Sequence, residues 1–176
     1  MGIAIDNPIR LASIQDAIAV YGWHNLMIIC WLRRPTVAAA EELKQARADF
    51  VARHPEGVSI VHLMMGAAEP PPQIRSTLVD MIRVNSQAIC SVAVVTLRGG
   101  FDASAVRSRV TGMRMEAGGE AKLRFHSTVQ EVFAWLPEVH ERETNVQLEV
   151  GPLSRWLQAQ ADAIMEAART RASDTA

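Results

Sequence analysis

An α/β domain is the fold class this sequence predicts, and three observations predict it. Apolar stretches recur at residues 26–32 (LMIICWL), 58–65 (VSIVHLMM) and 89–97 (ICSVAVVTL). An amphipathic pattern at helical spacing follows each one. The unit of strand then helix returns about every 30 residues, which is the rhythm of strands joined by crossover helices. The expected architecture is a four- to five-stranded mixed sheet with an N-terminal β-hairpin, about four helices and an appended C-terminal helix.

The elements follow in order. Residues 1–10 read as a flexible lead-in. A strand at 17–21 and another at 26–33 flank Gly22-Trp23-His24-Asn25, whose two ends carry turn chemistry, so the pair forms a hairpin. The second of these strands is apolar at nearly every position, which suits a sheet centre covered on both faces. Pro35 and Thr36 open a helix, with Thr36 as N-cap and Glu41 and Glu42 toward the positive end of its dipole. Val37, Ala40, Leu43, then Ala46 or Arg47, then Phe50 and Val51 form its apolar stripe. His54-Pro55-Glu56-Gly57 ends it, and 58–65 is the next strand.

Three prolines make 66–72 (GAAEPPP) a rigid loop, and the last of them can open a helix. Ile74, Leu78, Met81 and Ile82 mark that helix from Gln73 to about Ser86. The strand at 89–97 is broken by Arg98-Gly99-Gly100. A helix at 103–115 follows, with Val106, Val110 and Met113 inward. Gly112 weakens it by roughly 1 kcal/mol relative to Ala. Residues 122–126 (KLRFH) alternate like an edge strand whose charges discourage stray pairing. Ser127/Gln130 and Thr128/Glu131 both fit a capping box, and Val129, Val132, Phe133 and Leu136 give the helix that follows its apolar face. Pro137 bends or ends it. Residues 138–150 are polar and acidic, with a brief strand at 146–150. Gly151-Pro152 opens a last helix, 153–170, with Leu153, Trp156, Leu157, Ile164, Met165 and Ala168 on one stripe; 172–176 fray. The domain reading is a lead-in at 1–10, an α/β domain at 11–140, an acidic linker at 141–151 and an amphipathic helix at 152–172.

Composition narrows the function. A chain of 176 residues suits one domain with an appendage. At 49% hydrophobic and 21% charged it can build a core and is not a disordered chain. A net charge of −1 argues against a general nucleic-acid binder, which needs surplus Lys and Arg. The charge is uneven. Residues 90–126 carry six Arg/Lys against three acids, and 127–176 carry four Arg against eight acids. Those regions attract each other within one molecule or across a dimer. Cys30 and Cys90 sit in apolar runs and read as reduced, buried thiols. The N-terminus lacks the charged and apolar regions of a signal peptide. Asn7 stands where a myristoylation motif wants Ser or Thr. No apolar run approaches the roughly 18 residues of a membrane span, so the expected location is cytoplasmic.

Chemistry-bearing motifs are sparse. Of His24, His54, His62, His126 and His140, no two lie at i, i+4 and none pairs with Cys or Glu at a ligand spacing, so no metal is expected. No Gly-x-Ser-x-Gly elbow is present, and both cysteines lie away from helix N-termini, so no catalytic residue is assigned. Leu97-Arg98-Gly99-Gly100-Phe101 follows a strand and precedes a helix but lacks the spacing of a phosphate-binding fingerprint, so no cofactor is assigned. Arg107 and Arg114 share a helix face and read as a solvated face or, more sharply, as a docking patch for an acidic partner or a phosphorylated ligand. Trp23 and Trp156 are each an interface anchor or a core residue. The candidate contact residues are Trp23, Glu69, Ile74, Arg98, Gly99, Arg107, Arg114 and Trp156.

The element order, the stretch DAIAVYGWHNLMIICWLRR and the Thr36 helix resemble the STAS domain, the fold of bacterial anti-sigma-factor antagonists, over residues 11–140. ARHPEGV at 52–58 and TVQEVFAWL at 128–136 are similar to a set of STAS-like proteins from deltaproteobacteria such as myxobacteria. In the antagonists an Asp-Ser motif after the central strand carries a Ser or Thr phosphorylated by a partner kinase. Here Gly66-Ala67-Ala68-Glu69-Pro70-Pro71-Pro72 occupies that place, and Ser76 and Thr77 come later, inside the helix. The phosphorylation switch is therefore not carried over. The resemblance implies a small non-enzymatic regulatory module that meets a protein partner; the charge balance and the short apolar runs set the expectation of no nucleic acid and no membrane. It also implies that such a domain can hold a small apolar ligand or a nucleotide. The alternatives are a ligand binder or enzyme with its site at the strand ends near Gly66, Arg98 and Gly99, and a structural subunit or homodimer joined through the last helix.

Overall fold

The three apolar runs lie side by side in a single six-stranded sheet, seen in a computed structural model that describes residues 7–66 and 69–173. The strands are β1 (Ile9–Ile14), β2 (Ile18–Trp23), β3 (Leu26–Trp31), β4 (Val58–Met64), β5 (Ile89–Thr96) and β6 (Lys122–His126), and their spatial order is their chain order. β1, β2 and β3 are antiparallel neighbours, whereas β3 to β6 run parallel. The helices are α1 (Val37–Ala52), α2 (Pro72–Arg83), α3 (Gly100–Ala117), α4 (Val129–Phe133), α5 (Leu136–Thr144) and α6 (Val150–Ser173). A 3₁₀ turn, Ser86–Ala88, leads into β5.

The α/β class, the mixed sheet, the hairpin and the C-terminal helix are as the sequence predicts. The difference at the start is β1, which occupies part of what reads as a lead-in. The turn joining it to β2 is Gln15-Asp16, both with positive φ (48° and 51°). Left-handed turns normally advertise themselves with Asn-Gly or Asp-Gly, and Gln is a poor signal for one. The turn is tied down instead by α1: the Thr36 hydroxyl donates to Gln15 Oε1 at 2.7 Å, and Gln15 Nε2 donates to Glu42 at 3.1 Å. The second hairpin turn is tighter than the sequence suggests. Gly22 and Trp23 belong to β2, and only His24 and Asn25 turn, with His24 left-handed.

Side-chain alternation sorts the core into two layers. On one face Met27, Ile29, Val58 and Ile60 pack under α1 and α2. On the other Ile28, Cys30, Val61, Leu63, Ala93 and Val95 pack under α4 and α6. Thr36 caps α1 as expected, accepting from Ala39 N at 3.0 Å. Thr128 caps α4 by accepting from Glu131 N, and the Glu131 carboxylate accepts from Ser127 N.

Two expectations near the C-terminus are corrected. The segment read as polar and acidic holds most of α5, because Pro137 lies in that helix's first turn, where a missing N–H costs nothing, and opens the helix rather than ending one. No strand forms at 146–150, because α6 begins at Val150. Leu153, Leu157, Ala161 and Ile164 of α6 are buried on the sheet, and Trp156 packs edge-on against Tyr21 with ring centroids 4.7 Å apart. Expectations that fall on residues 1–6, on Ala67 and Ala68 in the proline loop, and on 174–176 lie outside the described residues.

Candidate functional site

On the face of β3 to β5 covered by α1, α2 and α3, the helices do not fill the space above the sheet. A cavity of about 310 Å³ lies between them at the carboxyl ends of the parallel strands. Its floor is Trp31, His62, Met64 and Val94; Ile74 and Leu78 line it from α2, and Val106, Val110 and Met113 line it from α3. Arg33, Arg34, Pro70 and Arg109 also border it. A pocket of this size with mostly apolar walls and few polar groups is the usual form of a small-molecule site. Its place at the carboxyl ends of the strands is where open α/β sheets usually bind ligands.

Local sequence explains the hollow. Even-numbered residues of β4 face α1 to α3, so His62 points up from a strand whose other residues, Ser59 apart, are apolar. Trp31 Nε1 donates to His62 Nδ1 at 3.0 Å, with the rings stacked 6.1 Å apart. Indole is only a donor, so Nδ1 accepts and the neutral imidazole carries its proton on Nε2. Among the described residues Nε2 has no hydrogen-bond partner, and the ring borders the cavity. Burial, helped by the nearby Arg47 charge, pushes the His62 pKa down to about 3, so the ring is neutral at physiological pH. The edge of the pocket is held by ion pairing: Arg109 meets Glu69 at 2.7 Å, and Arg34 donates to the Glu69 carbonyl at 2.8 Å.

A smaller hollow of about 80 Å³ adjoins the first, and His62, Met81, Ile82 and Val110 line both. Arg47 and Arg114 enter it. Arg47 is 6% exposed, and its Nη1 donates to the Met81 carbonyl. Burial lowers its pKa to about 10, so it stays a cation at neutral pH. Its Nε, like Arg114 Nε, is buried without a partner among the described residues.

The candidate residues divide. Ile74 lines the large cavity, and Glu69 pairs with Arg109 at its border. Arg98 and Gly99 stand outside its wall: Arg98 pairs with Asp102 at 3.8 Å and Gly99 precedes α3 in the open. The Arg107–Arg114 pair splits, since Arg107 lies over the Phe125 ring while Arg114 turns inward to donate to the Ala121 carbonyl. Trp23 is 1% exposed and belongs to the core. Thr77 is buried and donates to Glu41 at 2.9 Å, whereas Ser76 is exposed. Arg47 and His62, which give the two hollows their polar groups, were not among the candidates. The signal for Arg47 was its place on the α1 stripe between Leu43 and Phe50.

A second polar cluster is fully enclosed. His140 of α5 engages Ser59 Oγ through Nδ1 at 2.7 Å and Asn25 Oδ1 through Nε2 at 2.8 Å. Ser59 also meets Ser91 at 2.7 Å, and Asn25 Nδ2 donates to the Gly57 carbonyl at 2.8 Å. Asn25 Oδ1 can only accept, so Nε2 carries the proton and Nδ1 accepts from Ser59. Ser, His and Asn together suggest nucleophilic chemistry, but all are buried, and the set ties α5 to the amino ends of the strands. Among the described residues no group of three or more His, Cys, Asp or Glu could hold a metal ion, and no helix is long and apolar enough to cross a membrane.

Comparisons of the chain with models of protein families, with curated proteins and with solved structures find no match.

Proposed function

We propose that this protein is a small-molecule binding module of the STAS-like type, acting without catalysis, whose ligand occupies the cavity above β3 to β5. The observation that carries this reading is the apolar cavity of about 310 Å³ at the carboxyl ends of parallel strands. Its methionine walls favour a ligand of variable shape, because the unbranched thioether repacks easily. A regulatory role follows if the ligand draws α2 and α3 together over the sheet, since binding to the native state stabilises it by mass action. The test is titration with N-phenyl-1-naphthylamine, a neutral fluorescent apolar probe. Saturable fluorescence enhancement and a raised Tm are expected, both lost in Val110→Phe, which fills the space between the two hollows. No binding, or equal binding by the variant, defeats the reading.

A second reading, a protein-interaction module, is favoured by α3. Phe101 is 87% exposed and Met115 is 79% exposed, on a helix that also displays Arg107. Exposed apolar side chains beside a cation suit a partner with an acidic, partly apolar surface. On this reading Phe101→Asp weakens complex formation while leaving Tm and probe binding as in the parent.

A further inference from the structure

Arg47 is the least expected residue in this core. It lies on the buried stripe of α1 at a position that would normally hold an apolar side chain, and no carboxylate pairs with it among the described residues. Leaving one charge of a buried pair without its partner is strongly destabilising, so a retained lone cation calls for a reason. Its Nε, and the Nε of Arg114 from α3, are buried donors with no acceptor, and both side chains border the same small hollow. No acidic side chain lines that hollow; its polar residues are Arg47, Arg114, His62 and Ser86. His62 Nε2–H adds a neutral donor, because Trp31 occupies Nδ1.

The border of the large cavity also carries cations, but differently. Arg109 has a carboxylate partner in Glu69, although its Nη1 is also buried without a hydrogen-bond partner among the described residues, and Arg33 and Arg34 are exposed, where an ion pair is screened and worth little. The cations with buried nitrogens and no carboxylate partner among the described residues, Arg47 and Arg114, are therefore those of the smaller hollow, next to the apolar space.

We propose that the smaller hollow is an anion site, and that the ligand of this face is an amphipathic carboxylate whose head group is held by Arg47 and Arg114 while its apolar chain fills the larger cavity. The placement of the chain rests on the binding reading above; the anion site rests on the arginines alone. A planar carboxylate matches the guanidinium fork and takes charge-assisted hydrogen bonds from both side chains.

The experiment is calorimetric titration with decanoate and with decanol, below micelle formation, on the parent protein, Arg47→Met and Arg34→Met. The expected result is that the parent prefers decanoate by about tenfold or more, the range of a charge-assisted hydrogen bond. Arg47→Met removes that preference while still binding decanol, and its Tm without ligand is unchanged or higher, since an unpaired buried cation has been replaced by an apolar side chain of similar length. Arg34→Met keeps the preference. Equal affinity of the parent for both compounds overturns the anion site and leaves the apolar cavity standing. Binding of neither compound overturns the cavity reading itself. Loss of the preference in Arg34→Met but not in Arg47→Met places the head group at the border and overturns the assignment to Arg47.

Discussion

His140 shows how a single side chain can carry stability that its sequence context hides. Both ring nitrogens are used, and burial pushes its pKa down to about 4, with His24 adding to the effect and Glu56 opposing it. An unfolded chain protonates the same histidine near pH 6.5. Between about pH 6.5 and 4 the unfolded state therefore binds more protons than the native one, and stability falls as pH falls through that window. Above it the contribution is complete. Urea unfolding followed from pH 7 to pH 4.5 should show this decline, and His140→Ala should make it shallower, leaving the part that buried His62 contributes over the same window. The same variant should lose on the order of 3 kcal/mol at pH 7, because Ser59 and Asn25 are left with buried unpaired groups beside a new void. A variant as stable as the parent, with an unchanged pH slope, would show that the cluster is not what holds α5. Nothing in 138–150 announces this role, since a histidine among glutamates looks solvated. Arg47 was hidden in the opposite way. Helical spacing leaves Ala46 and Arg47 as equal candidates for the inward position, and the smaller apolar side chain is the ordinary choice. Only the packing of α1 against β3 and β4 puts the guanidinium inside.

Elements were legible where local pattern and tertiary role agree. β3, β4 and β5 are largely apolar runs because both of their faces are covered, and they stand within two residues of where the sequence puts them. The caps of α1 and α4 were readable because Thr36 and Thr128 make local hydrogen bonds. β1 was not, because Ile9 and Leu11 are exposed on an edge and a bulge between Arg10 and Ala12 breaks its alternation. α5 was missed because proline signals an end and a beginning with the same letter. α6 looked like an appendage because it follows the strand-helix units, yet its stripe joins α4 and α5 in covering one face of the sheet. Ending the chain at Glu149 should therefore abolish cooperative thermal unfolding and give a dye-binding, partly collapsed chain. A truncated protein that melts cooperatively near the parent Tm would mean that α6 is peripheral to the fold. Thr36→Ala should cost only about 1 kcal/mol, the worth of one N-cap.

Across the whole molecule, the two faces of the sheet are built to different ends. One is sealed by α4, α5 and α6, with a closed hydrogen-bond cluster at the amino ends of the strands. The other has α1 packed down at one side, while α2 and α3 stand over the two hollows. Side chains that border an empty space lack packing partners on that side, so the elements carrying them should open at lower free energy than the rest. Native-state hydrogen exchange should therefore rank the molecule by face. The amides of β3, β4 and β5 should exchange last, by global unfolding, and α6 should follow them closely despite its position near the end of the chain. The amides of α2 and α3 should exchange first among the helices of more than two turns. Saturating decanoate should slow α2 and α3 by the factor 1 + [L]/Kd, and slow by the same factor every amide that exchanges through global unfolding, while local openings that leave the hollows intact are unaffected. Uniform protection of all helices without ligand would mean that the hollows do not weaken the face above them, and the link between ligand binding and helix closure would fail with it.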